Sequence, residues 1–196
     1  MRNTMKGLAL ALVVVFAFTS CAKQPAQQMD AANAAIQAVA DAKGSIYAAE
    51  ELSKLKGDLQ AATDEINAQS KKFFKKYGPA KEMLAQVVAD AEAAKALIPG
   101  RIEEARMAAE TAIGDAKTAW EEAKALLDKA PAGKGTKADI EAMKSDLAGL
   151  EAAMAEVQGA FDAEDYLGAR DMAMAVKDKA AAISEQVQAA IAKIKR

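Results

Sequence analysis

The chain has 196 residues, 51 of them alanine, with 26 basic and 28 acidic residues and a formal net charge of −2. Alanine is the best helix former and only nine residues are aromatic, so the composition predicts an all-α protein and argues against most β and α/β folds. With no histidine and one cysteine, the chain lacks the commonest general base, the usual zinc ligands and any intramolecular disulfide.

Residues 1–20 have the pattern of an export signal. Arg2 and Lys6 precede an apolar stretch from Gly7 to Phe18, which is shorter than the ~20 residues of a membrane-spanning helix. The next residues complete a Phe-Thr-Ser-Cys sequence that ends at Cys21 and resembles the lipobox of bacterial lipoproteins. The resemblance implies cleavage before Cys21, a diacylglycerol on its thiol and a fatty acid such as palmitate on its amine. The alternative is an ordinary secretory signal with a chance cysteine.

The residues after Cys21 indicate where the anchored protein would reside. In the lipoprotein pattern, an Asp after the cysteine implies retention in the inner membrane, whereas Ala22 implies the periplasmic leaflet of the outer membrane. Residues 21–29 include Pro25 and have no apolar periodicity, so we expect a flexible tether. Cleavage would leave 24 basic and 28 acidic residues, interspersed, which gives no electrostatic case for nucleic-acid binding.

Six helical segments are expected after the tether. Turn residues and prolines separate them at Gly44-Ser45, Gly78-Pro79, Pro99-Gly100 and Pro131 to Gly135. Pro99 is predicted to break or sharply kink the chain. The segments are expected at about 30–43, 48–75, 79–97, 101–129, 137–161 and 166–194.

Apolar residues repeat between the second and fifth segments at an offset of 88. Leu52, Leu55, Leu59, Ile66 and Phe73 correspond to Ile140, Met143, Leu147, Met154 and Phe161. The spacing alternates between three and four residues, as in a coiled-coil seam. It predicts two tandem three-helix units, residues 30–98 and 99–196, built as elongated antiparallel bundles or coiled-coil hairpins. The alternative is that alanine-rich amphipathic helices align at many offsets by chance.

The region 34–62 carries a second resemblance. Tyr47, Ala48, Glu51 and Leu52 follow an alanine-rich helix and a small-residue turn. This arrangement resembles an uncharacterised helical domain found in bacterial outer-membrane lipoproteins. The resemblance implies a location and a fold, but no activity.

The densest candidate site is a lysine cluster with aromatic residues near the end of the second segment. One interpretation is an interfacial patch that contacts anionic lipid or a partner. The other is a solvated helix end, with the lysines facing the macrodipole and Phe73 in the core seam. The patch consists of Lys71, Lys72, Phe74, Lys75 and Lys76.

Other clusters have simpler interpretations. Asp162, Glu164 and Asp165 could suggest a cation site, but capping of the sixth helix explains them better. Met172 and Met174 suggest copper binding, but methionine is also a common residue in hydrophobic cores. We see no Gly-rich phosphate loop or catalytic dyad, and we expect no enzyme activity, cofactor or metal.

Two functions are therefore considered. The first is a structural or adaptor lipoprotein that contacts other envelope proteins or peptidoglycan and, through its heptad stripes, a second copy of itself. The second is a module that holds an apolar or amphipathic ligand between helices. A helix-lined cavity above ~300 Å³ would favour the second.

Overall fold

The computed structural model describes residues 23–130 and 137–194. Every regular element in these ranges is a helix, which confirms the predicted all-α fold. In chain order the helices are α1 (Ala26–Asp41), α2 (Gly44–Tyr47), α3 (Ala49–Ser70), α4 (Gly78–Asp128), α5 (Lys137–Asp162) and α6 (Tyr166–Ile194). The predicted signal peptide, Cys21 and the loop from Pro131 to Gly135 lie outside the described residues.

The chain divides into two compact units, one up to Gly100 and one from Arg101 onward. We call them unit 1 and unit 2. Unit 1 contains α1, α2, α3 and the first part of α4, and unit 2 contains the rest of α4 with α5 and α6. The sequence prediction had placed this boundary between residues 98 and 99.

Helix α4 continues through Pro99, so of the two predicted alternatives, a break and a sharp kink, the break is wrong. Proline removes one backbone N–H, but its fixed φ of about −65° is itself helical. Pro99 is exposed, so its ring does not disturb a packed face. Buried Ile98 and Ala105 hold the helix on either side. The two segments expected at 79–97 and 101–129 are therefore one helix.

Helix α1 begins at Ala26, so the flexible tether expected over residues 21–29 is too long. Pro25 lies at the N-cap with φ −81°, and its carbonyl oxygen accepts a hydrogen bond from the Met29 N–H at 3.0 Å. The residues between them are Ala and Gln, which have good helix propensity. Helical structure therefore starts five positions after Cys21.

A compact turn joins α1 to α3. Helix α1 ends at Asp41, and Lys43 adopts the left-handed conformation with φ 66°. A Cβ at Gly44 would lie 2.4 Å from the Val39 carbonyl oxygen, so only glycine fits there. Helix α2, which the sequence did not predict, follows this glycine and buries Tyr47.

Helices α1 and α3 run antiparallel in unit 1. Ala32, Ile36 and Val39 of α1 are buried, and the Thr63 hydroxyl of α3 lies 3.8 Å from the Met29 sulfur of α1. Met29 is in the first turn of α1, whereas Thr63 is in the second half of α3. The beginning of α1 therefore lies beside the C-terminal part of α3.

Unit 2 has a core of alanine, valine, leucine, isoleucine and methionine side chains from three helices. The sole tryptophan of the chain, Trp120, joins two of these helices. Its Nε1 on α4 donates a hydrogen bond to the Leu147 carbonyl oxygen of α5 at 3.1 Å. Lys177 of α6 forms an ion pair with Asp115 of α4 at 2.8 Å. The least exposed core residues are Ala116, Ala123, Val157, Ala173, Ala180 and Val187.

Burial follows the predicted repeat at most positions. Pairs buried in both units at an offset of 88 are Leu52/Ile140, Leu55/Met143, Ala62/Leu150 and Gln69/Val157. With one added residue, the buried pairs continue as Ala80/Ala169, Leu84/Ala173, Val87/Val176, Ala91/Ala180, Ala94/Ile183 and Ile98/Val187. Leu59 departs from the repeat, because it is half-buried whereas Leu147 is buried.

Candidate functional site

The lysine cluster lies outside any helix, contrary to the prediction that the second segment extends to residue 75. Helix α3 ends at Ser70. A helical continuation would place Lys71 beside Lys75 and Lys72 beside Lys76, and like charges at i,i+4 spacing destabilise a helix. We call residues 71–76 the Lys/Phe segment.

The prediction that Phe73 belongs to the core seam is wrong. Phe73 is 93% exposed and Phe74 is 78% exposed. Their ring centroids are 5.0 Å apart with an interplanar angle of 85°, so the rings meet edge to face in solvent. The like-charge lysine spacing was the sequence signal that could have revealed the early end of α3, and with it the exposure of Phe73.

The four lysines of the Lys/Phe segment are all exposed. Among residues 23–130 and 137–194, no ion pair involves any of these four ammonium groups. The chain has no acidic residue between Glu65 and Glu82. The segment therefore presents two apolar rings within a local excess of positive charge.

Gln69 accepts hydrogen bonds from the backbone of the Lys/Phe segment and so joins the segment to the end of α3. Its side chain is only 8% exposed, and its Nε2 donates to Glu65 Oε1 at 2.7 Å. Its Oε1 accepts a long hydrogen bond of 3.4 Å from the Lys76 backbone N–H. The Lys72 N–H donates to the Gln69 carbonyl oxygen at 3.1 Å. Tyr77, which follows the segment, is buried. The exposed rings are thus held between two buried side chains.

The acidic cluster of unit 2 acts as a helix cap. Asp165 Oδ1 accepts a hydrogen bond from the Gly168 N–H at 3.1 Å, at the start of α6. Glu164 is left-handed with φ 61°, and the Asp165 N–H donates to the Ala160 carbonyl at 3.0 Å, which closes α5 in a Schellman turn. A Cβ at Gly168 would lie 2.2 Å from Asp165 Oδ2, so a larger residue there would require the carboxylate to shift.

The remaining metal candidates are dispersed. Met172 packs against the core of unit 2, and Met174 is exposed on α6. In the part of the chain that the structure describes, no three His, Cys, Asp or Glu side chains gather as they would around a metal ion.

An open groove of about 520 Å³ lies between α5 and α6. Its volume exceeds the ~300 Å³ set above, but it is a surface groove and not an enclosed cavity. Ligand sites bury 70–90% of a ligand's surface. Charged and polar side chains line this groove beside the apolar ones, so it offers little enclosed apolar surface. Its walls include Asp146, Gly149, Leu150, Lys179, Ile183 and Gln186.

Perturbed titrating groups occur at ion pairs between and along helices. Lys54 of α3 donates to Asp58 at 2.8 Å and to Asp90 of α4 at 2.9 Å. These contacts, the one with Asp58 foremost, raise the pKa of Lys54. The hydrogen bond from Lys54 lowers the pKa of Asp90, with help from Gln86. Lys54 and Asp90 line an open surface groove of about 200 Å³, but both are solvent-accessible. Exposed ion pairs of this kind mainly tie helices together.

No helix among the described residues combines the length and the apolar character needed to cross a bilayer. Comparison of the chain with protein-family models, with curated proteins and with solved structures finds no match.

Proposed function

We propose that this chain is a non-enzymatic, lipid-anchored envelope protein that acts as a structural or adaptor module on the periplasmic face of the outer membrane. The observation that carries the proposal is the lipobox-like Phe-Thr-Ser-Cys sequence, which places the only thiol of the chain at the end of a signal-like segment. Ala22 supports the outer membrane as the destination.

The folded part of the chain is compatible with such a role. Its long helices bury seams of alanine, valine, leucine and isoleucine, and they expose charged outer faces. Helix α5 alone has 26 residues, which span about 39 Å at 1.5 Å per residue. Long polar helix faces suit lateral contact with envelope proteins, peptidoglycan or a second copy of the chain.

The anchor is tested with the full-length protein and its Cys21→Ser variant. We expect radiolabelled palmitate to enter the first and not the second. The first should also fractionate with the outer membrane, and the second should remain as precursor or soluble periplasmic protein. A Cys21→Ser/Ser45→Cys variant is the matched control, since it keeps one thiol on the exposed turn after α1. Wild type without label, or equal membrane association of all three proteins, would refute the anchor.

The adaptor role is tested by crosslinking in cells followed by mass spectrometry. Wild type should give discrete crosslinks to envelope proteins, to peptidoglycan fragments or to itself. If crosslinks are absent while the anchor is confirmed, the adaptor role is wrong.

The open groove between α5 and α6 is the observation that favours the second candidate, a ligand-binding module. Saturable binding of a hydrophobic fluorophore, lost when Ala182 on the groove wall is changed to Trp, would support it. We expect no saturable binding, because the groove leaves much of a ligand in water.

A further inference from the structure

The exposed phenylalanine rings of the Lys/Phe segment do not stabilise the fold, so their role lies outside it. Phe73 and Phe74 contact each other but contribute nothing to the core of unit 1. Two adjacent phenylalanines at 93% and 78% exposure in a fixed turn represent apolar surface that a binding partner would cover.

The Lys/Phe segment lies at the end of unit 1 where the chain arrives from Cys21. The contact between Thr63 and Met29 puts the C-terminal part of α3 beside the first turn of α1. The Lys/Phe segment directly follows α3, and Cys21 is five residues before α1 begins. Five extended residues reach at most ~18 Å. An anchor on Cys21 would therefore hold this end of unit 1 near the lipid.

We propose that the Lys/Phe segment docks on the surface of a membrane that contains anionic phospholipid. Phe73 and Phe74 enter the interfacial region, and the lysines contact lipid phosphates. Which membrane it meets in the cell rests on the anchor proposed above. The docking surface itself rests on the exposed rings and the charge of the segment.

The charge pattern favours a lipid surface over a protein partner. Four lysines on six consecutive residues attract a diffuse negative surface, and each strengthens binding to an anionic membrane about fivefold. Aromatic side chains flanked by lysines are typical of segments that lie in the membrane interface. A short tether also raises the effective concentration of lipid at the segment, so that weak binding suffices.

The docking is tested on the chain from residue 22 onward, which retains every described residue and cannot be acylated at Cys21. Binding is measured by co-sedimentation with vesicles of phosphatidylcholine alone and with vesicles that contain phosphatidylglycerol. We expect binding to the anionic vesicles only, and weaker binding at 0.5 M salt because screening shortens the range of charge attraction. Equal binding to both vesicles, or binding to neither, would overturn the proposal.

Substitution tests whether the Lys/Phe segment is responsible. Changing its four lysines to Gln should weaken binding by up to several hundredfold, since four factors of about five multiply, and by at least about tenfold if only some of the lysines touch the surface. Changing Phe73 and Phe74 to Ser should also weaken it about tenfold, with unchanged helix content. A matched control changes four exposed lysines that lie elsewhere and removes the same charge; these are Lys95, Lys117, Lys129 and Lys179. Equal loss in the control would mean that only net charge matters, and the proposal would be wrong.

Insertion of the rings is tested separately. The chain from residue 22 has no cysteine, so Phe74→Cys gives a unique site for an environment-sensitive fluorophore. Its emission should shift to the blue on anionic vesicles, whereas a probe at Ser145→Cys, an exposed position of α5, should not shift. A probe at residue 74 that stays in water while the protein is bound would exclude insertion. If the segment instead contacts a partner protein, the chain would bind neither kind of vesicle and the emission of the probe at residue 74 would not change, which would overturn the proposal.

Failure of this proposal and failure of the anchor are distinguishable. If palmitate labelling fails but the chain from residue 22 binds anionic vesicles through its Lys/Phe segment, docking stands and the anchor is refuted. If labelling succeeds and vesicle binding is absent, the anchor stands and docking is refuted.

Discussion

The two units join equivalent helices in different ways. In unit 1, α3 and α4 are connected by seven non-helical residues, 71–77, whereas three residues, 163–165, connect α5 and α6 in unit 2. The equivalent phenylalanines have different environments as a result. Phe161 is half-buried with its ring centroid 5.2 Å from that of Tyr166, and Phe73 is exposed.

The difference shows how neighbouring charges decide the environment of an aromatic residue. In unit 2 the Schellman turn at Glu164 closes α5 just after Asp162, so α5 includes Phe161 and keeps its ring against its own unit. Asp165, four residues after Phe161, caps the start of α6. Lysines at i,i+4 spacing stop α3 one turn earlier, and Phe73 leaves the seam. The same apolar residue then serves packing in one unit and is left on the surface in the other.

The largest expected loss of stability comes from truncating a leucine of the apolar helix seam. Leu147→Ala should lower the free energy of unfolding by about 2–4 kcal/mol, because it leaves a cavity in a buried site. Leu59→Ala should cost about 1–2 kcal/mol, since Leu59 is half-buried beside an open groove. Denaturant unfolding of the chain from residue 22 measures both. As controls, Lys56→Ala and Lys144→Ala should each change stability by under about 0.5 kcal/mol. Equal costs at Leu59 and Leu147 would contradict the difference between the units.

Gln69 and Val157 occupy equivalent positions of the repeat, and exchanging their side chains should lower stability more in unit 2 than in unit 1. Val157→Gln should cost about 1–3 kcal/mol, because Val157 is fully buried and an amide there would lack the partners that Gln69 has. Gln69→Val should cost about 1 kcal/mol, through loss of the bonds to Glu65 and Lys76. Denaturant midpoints of the two variants give the comparison. A larger loss for Gln69→Val would mean that the Lys/Phe segment stabilises unit 1 more than its contacts indicate.

Removing the N-terminal cap of α6 should cause a smaller loss of stability, and the corresponding change in unit 1 should cause almost none. Asp165→Ala should lower stability by about 1 kcal/mol, because the Gly168 N–H loses its acceptor. Lys76 is the counterpart of Asp165 in the repeat, but it lies two residues before α4 and its ammonium group cannot accept a bond from a helix N–H. Lys76→Ala should therefore change stability by under about 0.5 kcal/mol. Thermal melting in parallel checks both. Similar losses at the two positions would show that the turns are more alike than their hydrogen bonds suggest.

The smallest expected effect depends on pH. Because the pKa of Asp90 is lowered in the folded chain, its contribution is present above the ordinary aspartate pKa and is lost as pH falls through the lowered value. The raised pKa of Lys54 means that its contribution is complete below the ordinary lysine pKa and is lost at higher pH. Asp90→Asn should therefore reduce the melting temperature slightly at pH 7 and not at pH 2.

Asp146→Asn is the matched control for this pH effect, since Asp146 is exposed on α5 and forms no ion pair with a described residue. It should leave the melting temperature unchanged at both values of pH. A loss from Asp90→Asn that persists at pH 2 would assign its effect to packing and not to charge.

Much of the helical structure could be read from local composition. Alanine content and the three-four spacing of apolar residues predicted helices at nearly all the places where the structure has them. The candidate patch of Lys71, Lys72, Phe74, Lys75 and Lys76 was also visible, because its charge density is a property of the sequence. The apolar spacing does not predict the exposure of Phe73, because it places Phe73 on the core seam, whereas α3 ends before this residue.

The sequence by itself determined the all-α fold class, because helix propensity and apolar periodicity act over a few neighbouring residues. It also predicts the repeat and the signal-like segment before Cys21. Tertiary structure decided the continuity of α4 through Pro99 and the half-burial of Leu59. It also decided the placement of the Lys/Phe segment at the end of unit 1 where α1 begins. These features depend on which side chains meet across helices far apart in sequence, and packing free energy can outweigh a local signal such as one proline.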